Sequence, residues 1–256
     1  IYTTAICTGE KEDMKELQEQ IDYYFKQTKQ NPNIIESLYQ EDSIFPFSPE
    51  GRALAYLLAN RIISYEKYNE LIREYSKRNK CLELFEMAPR TFGETWGETH
   101  IRTLFPQFLK ATKANMSTLY PDFDGEFDLW LDGVRVEVKA CRANSTKSKG
   151  SLASKAFLHK DASAAFFKYH FQQLKPSCCD VFIWIGVCRD ELIYWVLSSN
   201  ELLTTGKLGP QHRNQNTGIA NTSVFEGQVF MTEEELETFK VPVKCILNAV
   251  LLKGKK

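Results

Sequence analysis

The sequence predicts an α/β fold, in which a core of one helix, three strands, a second helix and a further strand follows an N-terminal helical region. Apolar residues recur at helical spacing from Asp13 to Gln27. Asp132-Gly133 separates two runs of alternating apolar residues, which is the pattern of a tight β-hairpin. The nearly continuous apolar run from Val181 to Val187 is typical of a buried strand. We therefore expect a helical region at 1–90 and the core at 91–256.

The N-terminal region is predicted to contain three helices and carries no catalytic pattern. After the helix that ends near Gln27, Ser48-Pro49-Glu50 supplies an N-cap and a proline at the first helical position, leading into a helix at 53–63. Ser64 is a candidate cap for a third helix that runs to about Lys77. We interpret this region as a packing subdomain, and DNA contact is the alternative.

The core elements follow from the change of apolar period after Pro89. The helix predicted to precede the last buried strands is long enough to connect two parallel strands. In chain order we expect a helix at 91–105, a short extended stretch at 116–120, strands at 126–131 and 134–140, a helix at 161–174 stopped by Pro176, and strands at 181–187 and 192–197.

Composition limits the classes of function. The 256 residues are 43% hydrophobic and 25% charged, as in a globular domain, and no apolar run is long enough to span a bilayer. We therefore expect no membrane partner and no secretory signal. The seven cysteines lack zinc-ligand spacing, which favours reduced thiols in a cytoplasmic protein.

The net charge of −1 at pH 7 does not by itself favour a nucleic-acid partner. A nuclease, however, concentrates acids around its metal and places basic groups locally, so the distribution of charge matters more than its total. A small-molecule enzyme lacks support, because the sequence has no glycine-rich phosphate loop, dinucleotide fingerprint or nucleophile elbow.

The hairpin carries the candidate chemistry. If Asp132-Gly133 is a two-residue turn, Leu131 pairs with Val134 and Asp128 lies opposite Glu137. Lys139 projects from the same face, two residues beyond Glu137. Opposed carboxylates repel each other unless a cation compensates, and magnesium prefers such oxygen ligands. With a lysine beside the cation, the group can hydrolyse a phosphodiester. The alternative is an exposed hairpin face with ordinary surface charges.

Three short runs resemble the PD-(D/E)xK nuclease superfamily, and within it the type II restriction endonucleases: Pro121-Asp122, Phe127-Asp128-Leu129 and Glu137-Val138-Lys139. The resemblance covers roughly residues 91–198. It implies a restriction-endonuclease-like core and a Mg²⁺ cofactor. It assigns catalysis to Asp128, Glu137 and Lys139, and metal binding to Asp128, Glu137 and Val138.

The resemblance also implies an acid on the helix before the hairpin, and we assign Glu98 to both the catalytic and the metal-binding set, with Glu94 as its competitor. Asp122 is the literal motif aspartate, but it precedes the strand, so the hairpin register favours Asp128. His100 points away from Glu98 along the helix and is expected to be structural or to face DNA. Gln172 and Gln173 are expected near the end of the crossover helix, either reaching the site or lying on the helix surface.

Two polar segments are candidates for DNA contact. The stretch at 142–160 follows the catalytic strand, is rich in cationic and small polar groups, and is expected to become ordered on DNA. The segment at 207–216 is dense in Gln, Asn, His and Arg, the side chains suited to base edges. The alternative for the first stretch is a solvated loop. The predicted DNA-binding residues are Arg142, Asn144, Lys147, Lys149, Lys155, Gln211, His212, Arg213 and Asn214.

The function implied by the resemblance is sequence-specific cleavage of double-stranded DNA to 5′-phosphate and 3′-hydroxyl ends. A homodimer is expected because palindromic targets suit two-fold symmetric proteins. A cognate DNA methyltransferase is the implied partner in the cell. Two alternatives stay open: a repair, recombination or transposition nuclease of the same superfamily, and a non-catalytic DNA-binding module.

Overall fold

The computed structural model describes residues 17–27, 49–146, 149–211 and 226–255. The chain forms two compact units, Ile1–Asn79 and Lys80–Lys256. The boundary between them therefore precedes the one predicted at residue 90. None of the described helices is long and apolar enough to cross a membrane.

The first unit packs three described helices around Ile21, Phe25, Leu54, Leu57 and Leu71. The Ser64 hydroxyl accepts a hydrogen bond from the Lys67 backbone N–H at 3.1 Å, so the predicted cap is confirmed. The predicted cap at Ser48 lies outside the described residues. The second helix ends at Ala59, short of Ile63, because the chain turns at Arg61, which has φ 58°. The helices are α1 (Leu17–Gln27), α2 (Pro49–Ala59) and α3 (Tyr65–Arg78).

The second unit is built on a mixed five-stranded sheet with helices, which confirms the α/β class. A separate three-stranded sheet packs beside it. The strands are β1 (Leu109–Lys110), β2 (Leu129–Leu131), β3 (Val134–Arg142), β4 (Lys168–Leu174), β5 (Val181–Val187), β6 (Leu192–Ser198), β7 (Gly209–Pro210) and β8 (Gly227–Thr232). The order is β1-β2-β3-β5-β6 in the large sheet and β4-β8-β7 in the small one.

Short helices connect these strands. A π-helical turn at Phe92–Trp96 joins two α-helical segments into one continuous helical stretch, at the place predicted for the first core helix. The helices of this unit are α4 (Glu83–Glu86), α5 (Pro89–Thr91), α6 (Gly97–Leu104), α7 (Lys113–Met116), α8 (His159–Ala164), α9 (Ser199–Thr204), α10 (Glu233–Leu236) and α11 (Ile246–Lys253).

The β2–β3 hairpin has the predicted register, with Leu131 paired to Val134 and Leu129 to Val136. Asp132 and Gly133 both have positive φ, 46° and 91°, as a tight two-residue hairpin turn requires. β3 then pairs with β5 in parallel, so the predicted crossover connection is also confirmed. The two faces of the sheet are buried in separate cores, with Val136, Val138 and Ile183 in one and Phe182 and Trp184 in the other.

The predicted crossover helix at 161–174 is wrong in its second half. α8 ends at Ala164, and Phe166 takes a left-handed conformation with φ 49°. The residues from Lys168 to Leu174 form β4, where buried Tyr169 and Phe171 alternate with outward side chains. This period of two, together with pairing to β8, outweighs the helical preference of the preceding alanine-rich segment.

The predicted extended stretch at 116–120 is also wrong. The Thr112 hydroxyl accepts a hydrogen bond from the Asn115 N–H and begins α7, and the chain turns after Met116. The outer strand of the sheet is instead β1, at Leu109–Lys110, which pairs with β2. Three strands therefore precede the crossover connection, as predicted, but the first of them is β1 at Leu109–Lys110 instead of the stretch at 116–120.

Candidate active site

A cleft opens where the hairpin pairing stops. β2 pairs with β3 only as far as Val136, whereas β3 continues to Arg142. Beside this continuation lies a cavity of about 200 Å³. Its lining combines backbone and side chains from the helical stretch, the hairpin and β4: Phe92, Gly93, Glu94, Gly97, Glu98, Asp128, Val138, Lys139, Ala140 and Gln173.

Asp128 is held firmly at the mouth of the hairpin. Its Oδ2 accepts a hydrogen bond from the Val138 N–H at 2.8 Å. Its own N–H donates to the Val136 carbonyl at 3.1 Å, and its carbonyl accepts from the Ala111 N–H at 2.9 Å. In a strand the N–H and C=O of one residue point to the same side. The Val138 carbonyl is therefore expected to face the same edge as Asp128.

Glu137 forms a close ion pair with Lys139, which lines the cleft, with 2.6 Å between Lys139 Nζ and Glu137 Oε1. Burial raises the pKa of Glu137 to about 7, the nearby Asp128 charge adds to this, and Lys139 opposes it. Burial disfavours the charged form of Lys139, but the negative charges of Glu137 and Asp128 raise its pKa above the ordinary value. The lysine is thus protonated, while the charge on Glu137 is costly without further positive charge nearby.

Glu98 approaches the same group from α6. Its side chain is 15% exposed, and its Oε2 lies 3.1 Å from Lys110 Nζ. Burial and the charge of Asp128 raise the pKa of Glu98, while Lys110 and Lys139 oppose the rise. Lys110 was not among the residues predicted from sequence. The pairing of Lys110 with Leu129 sets Lys110 next to Asp128. Its strand, β1, has only two residues, so the sequence shows no alternating pattern that could have predicted it.

Close packing of the helical stretch on β3 positions Glu98. A Cβ atom added to Gly97 would lie 3.2 Å from Val138 Cγ1, so the small residue permits the helix backbone to approach the strand. The preceding turn is a π-helix, a feature often found at functional sites. Glu94 also lines the cavity, but its side chain is 60% exposed and pairs with Arg90 at 2.9 Å. The geometry therefore favours Glu98 over Glu94 as the inner acid.

Gln173 lines the cavity from a strand, not from the helix that was predicted for it. It lies in an irregular part of β4, between Phe171 and Leu174, with φ 56°. Such a bulge can re-aim a side chain. The Gln173 N–H donates to Gln211 Oε1 at 2.7 Å, which links the cleft to one predicted DNA-binding residue. Gln172 is exposed and bonds to His170 instead.

The residues of the cleft fit a divalent cation in composition. The donors are carboxylate oxygens from Glu98, Asp128 and Glu137, and the Val138 carbonyl faces the same edge, which suits magnesium. Within 17–27, 49–146, 149–211 and 226–255, no group of three or more His, Cys, Asp or Glu side chains is arranged to hold a metal ion. Two of these carboxylates point to lysines instead, Glu98 to Lys110 and Glu137 to Lys139.

The alternative motif aspartate lies apart from this group. Asp122 is exposed in the turn before the hairpin, and it does not line the cavity. Asp124, a further loop acid, pairs with Lys113 at 2.9 Å. Of these acids, the structure brings only Asp128 to the cleft.

Arg142 requires a correction, because it is only 8% exposed rather than presented to solvent. Its Nη2 donates to the Met87 carbonyl at 2.7 Å, and its guanidinium lies 3.9 Å from the centroid of the Phe92 ring. Arg142 thus ties the end of β3 to the helical stretch and is not available for a phosphate. Packing on the Phe92 ring and the hydrogen bond to a backbone carbonyl compensate the Arg142 guanidinium for the loss of solvent.

The described residues of the stretch at 142–160 include a paired base, and the ordering of the stretch on DNA stays a prediction. Its two ends are joined by backbone hydrogen bonds from Ser145 to Lys155 and from Phe157 to Ala143, each 2.9 Å. Asn144 and Lys155 are half-buried in this paired part, while Lys149 is exposed near its tip. The remaining predicted DNA-binding residues, Lys147, His212, Arg213 and Asn214, lie outside the described residues.

His100 has a structural position. Its Nε2 lies 2.7 Å from the Tyr194 hydroxyl, and its ring stacks between Trp96 and Tyr194, with centroids 5.0 and 6.0 Å away. Burial lowers the pKa of His100. It therefore packs α6 against β6 as a neutral imidazole and does not enter the cleft.

No protein-family model, curated protein or solved structure matches this chain. The features of the chain that bear on its function are therefore the geometry of the cleft and the short motifs that it contains.

Proposed function

We propose that the chain is a magnesium-dependent endonuclease of the restriction type, which cleaves specific double-stranded DNA to 5′-phosphate and 3′-hydroxyl ends. The observation that supports this most is the meeting of Glu98, Asp128, Glu137 and Lys139 at the point where β2 stops and β3 continues. The proposal includes a restriction-endonuclease-like core, which accounts for this order of helix, hairpin and parallel strand.

The acids have distinct parts in this proposal. Glu98, Asp128 and Glu137, with the Val138 carbonyl, would hold the magnesium ion. When bound, the ion supplies a Lewis acid for the phosphate oxygen and lowers the pKa of bound water. Asp128 needs no rearrangement of its backbone, since three hydrogen bonds already hold the residue.

Lys139 completes the proposed catalytic group. Its ammonium stays protonated, so it can orient a water by hydrogen bonding and stabilise negative charge that develops on the phosphate. The cleft wall contributes Gln173, whose amide can bond to the substrate or to a positioned water. Together these groups suit in-line attack of water on a phosphodiester.

The substrate and partners extend beyond the cleft. Two of the predicted DNA-binding lysines in the stretch that follows the catalytic strand, Lys149 and Lys155, are among the described residues, and they are proposed to contact phosphates. Gln211 is proposed to contact a base edge, and its hydrogen bond to Gln173 would couple that contact to the cleft. Homodimerisation, a cognate methyltransferase and a cytoplasmic location remain predictions that follow from the proposed activity and the composition.

Digestion of a sequenced, unmodified plasmid tests this function. With magnesium the protein should produce discrete fragments, and sequencing of the ends should show one site with 5′-phosphates. A chelator should stop cleavage. Non-specific nicking would favour the repair or recombination alternative, and DNA binding without any cleavage would favour the non-catalytic module.

A further inference from the structure

A second lysine, besides Lys139, contacts the acidic group. Lys110 Nζ is 3.1 Å from Glu98 Oε2, and the two side chains come from different elements, β1 and α6. The backbone on either side is fixed, because Lys110 pairs with Leu129 and the Ala111 N–H donates to the Asp128 carbonyl. Lys110 is therefore anchored one step from Asp128 in the sheet.

The two lysines differ in exposure. The Lys139 side chain is 19% exposed and faces buried Glu137, whereas Lys110 is 44% exposed and faces Glu98. A half-exposed ammonium on a flexible stem can change partners while its backbone stays fixed. A carboxylate bound to a divalent cation no longer needs the lysine, which becomes free to meet a negatively charged group of the substrate.

We propose that Lys110 is a second functional lysine of this cleft. It holds Glu98 in place before the cation binds, and it contacts a backbone phosphate of the nucleic acid once the cation has taken Glu98. This inference depends on the proposed function, and it concerns the cation and phosphate partners of that same site. Lys110 affects the cation only through Glu98, for which the two compete, and it is a direct contact only for the phosphate.

If Lys110 exchanges Glu98 for a phosphate in this way, its removal should change the affinities for the cation and for nucleic acid in opposite directions. Without Lys110, Glu98 has no ion pair to give up, and the cleft carries one positive charge fewer, so a divalent cation should bind more tightly. Nucleic acid should bind less tightly, because one phosphate contact is lost. A residue that only supported the fold would weaken both interactions together.

The first test measures Mg²⁺ binding by calorimetry, without DNA. Lys110→Gln should raise the affinity for Mg²⁺ by about thirtyfold, the order expected for removing one unit charge at contact distance from a doubly charged ion in water. Lys110→Arg should restore an affinity near that of the wild type. Lys113→Gln is the matched control, since Lys113 pairs with Asp124 away from the cavity at 2.9 Å and carries the same charge.

The second test measures duplex binding in Ca²⁺ over a range of salt concentrations. The slope of log affinity against log salt should fall by about 0.9 in Lys110→Gln, as expected for one lost phosphate contact on B-DNA. Lys110→Arg and Lys113→Gln should keep the wild-type slope. Thermal unfolding of each variant reports whether the fold is intact.

The outcomes separate the two proposals. If the wild type cleaves DNA with Mg²⁺, but Lys110→Gln binds the cation no more tightly than Lys113→Gln does, the role of Lys110 is wrong and the proposed function stands. An equal loss of cation and DNA affinity in Lys110→Gln also overturns the role of Lys110. If the wild type binds neither Mg²⁺ nor DNA, both proposals fail.

Discussion

The carboxylate of Asp128 accepts a hydrogen bond from the Val138 backbone N–H at 2.8 Å, at the place where the pairing of β2 and β3 ends. The side chain thus takes the position that a strand carbonyl would otherwise occupy. It holds a charged oxygen at the free edge of β3, beside Lys139 and within electrostatic reach of Glu98 and Glu137.

Asp128 and Asp122 should behave differently when each is replaced by asparagine. Asp128→Asn keeps an oxygen that can accept from Val138 but removes the charge, so the fold should survive. Cleavage should fall by more than ~100-fold, since loss of even an outer-shell partner of a metal ligand costs about 10–100-fold. Asp122→Asn, in the exposed turn, should cleave normally. Plasmid cleavage rates and circular dichroism check both variants. An inactive Asp122→Asn beside an active Asp128→Asn would reverse the assignment.

Calcium and magnesium should separate binding from cleavage. Calcium accepts looser coordination than magnesium, so it should support DNA binding with little turnover. Gel-shift and cleavage assays in each ion, with a chelator as control, measure the two activities. Equal cleavage rates in both ions, or undiminished cleavage in chelator, would contradict the metal-binding role of the acids.

The Glu137–Lys139 pair should show strong coupling in stability. Lys139→Met leaves a buried carboxylate without its partner, which typically costs about 3–5 kcal/mol. The double variant Glu137→Gln with Lys139→Met removes both charges and should recover most of that loss. Urea unfolding of the two single variants and the double variant measures the coupling. Strictly additive changes would show that the two side chains do not interact in solution.

The pKa values of His159 and His100 should be shifted in opposite directions from the ordinary value for histidine. Burial opposes protonation of His159, but hydrogen bonds to Glu233 and Glu191 outweigh it and raise its pKa. Burial alone lowers the pKa of His100. NMR titration of the imidazole resonances, assigned with His159→Gln and His100→Gln, tests this order. A His100 pKa above that of His159 would contradict it.

The signs for stability follow from these shifts. The contribution of His159 is complete below its unfolded pKa and is lost as the pH rises through its raised folded pKa. His100 destabilises the fold as the pH falls below its unfolded pKa, because the folded state resists protonation. Replacing His159 by glutamine should therefore cost most stability in acid, as urea unfolding at several pH values can measure.

Lys149 and Arg142 should separate DNA contact from packing. Lys149→Ala should reduce the salt slope of DNA binding by about 0.9 if it contacts one phosphate. Arg142→Ala should leave that slope unchanged but destabilise the protein, because the guanidinium packs on Phe92 and bonds to Met87. Lys160→Ala, another exposed lysine of the same stretch, provides a comparison. An unchanged slope in Lys149→Ala would remove this residue from the proposed interface.

The parts of the fold that the sequence predicts are those with local causes. The Asp132-Gly133 turn sets the register of β2 against β3, and the apolar run at 181–187 is β5. β4 was missed because its pairing partner β8, at Gly227–Thr232, lies far along the chain. No local window contains that pairing, and Ala162, Ala164 and Ala165 favour a helix.

The same distinction applies to the site. Asp128, Glu137 and Lys139 share one hairpin, so a short motif brings them together, and the helix position of Glu98 follows from the resemblance. Lys110 reaches the cleft only through a two-residue strand, and Gln173 only through a bulge. Arg142, assigned to DNA contact from sequence, is buried instead, because a basic side chain can pack its guanidinium against an aromatic ring.

Cleavage of unmodified plasmid DNA by the wild type, Glu137→Gln and Glu126→Gln, in magnesium, tests the central claim most directly. Glu126 is a nearby acid whose Oε2 accepts from the Asp124 N–H at 2.6 Å in the loop before the hairpin. We predict discrete fragments with 5′-phosphate ends from the wild type and Glu126→Gln, and none from Glu137→Gln. Undiminished cleavage by Glu137→Gln, or no cleavage by a folded wild-type protein on DNA that samples every short site, would contradict the account.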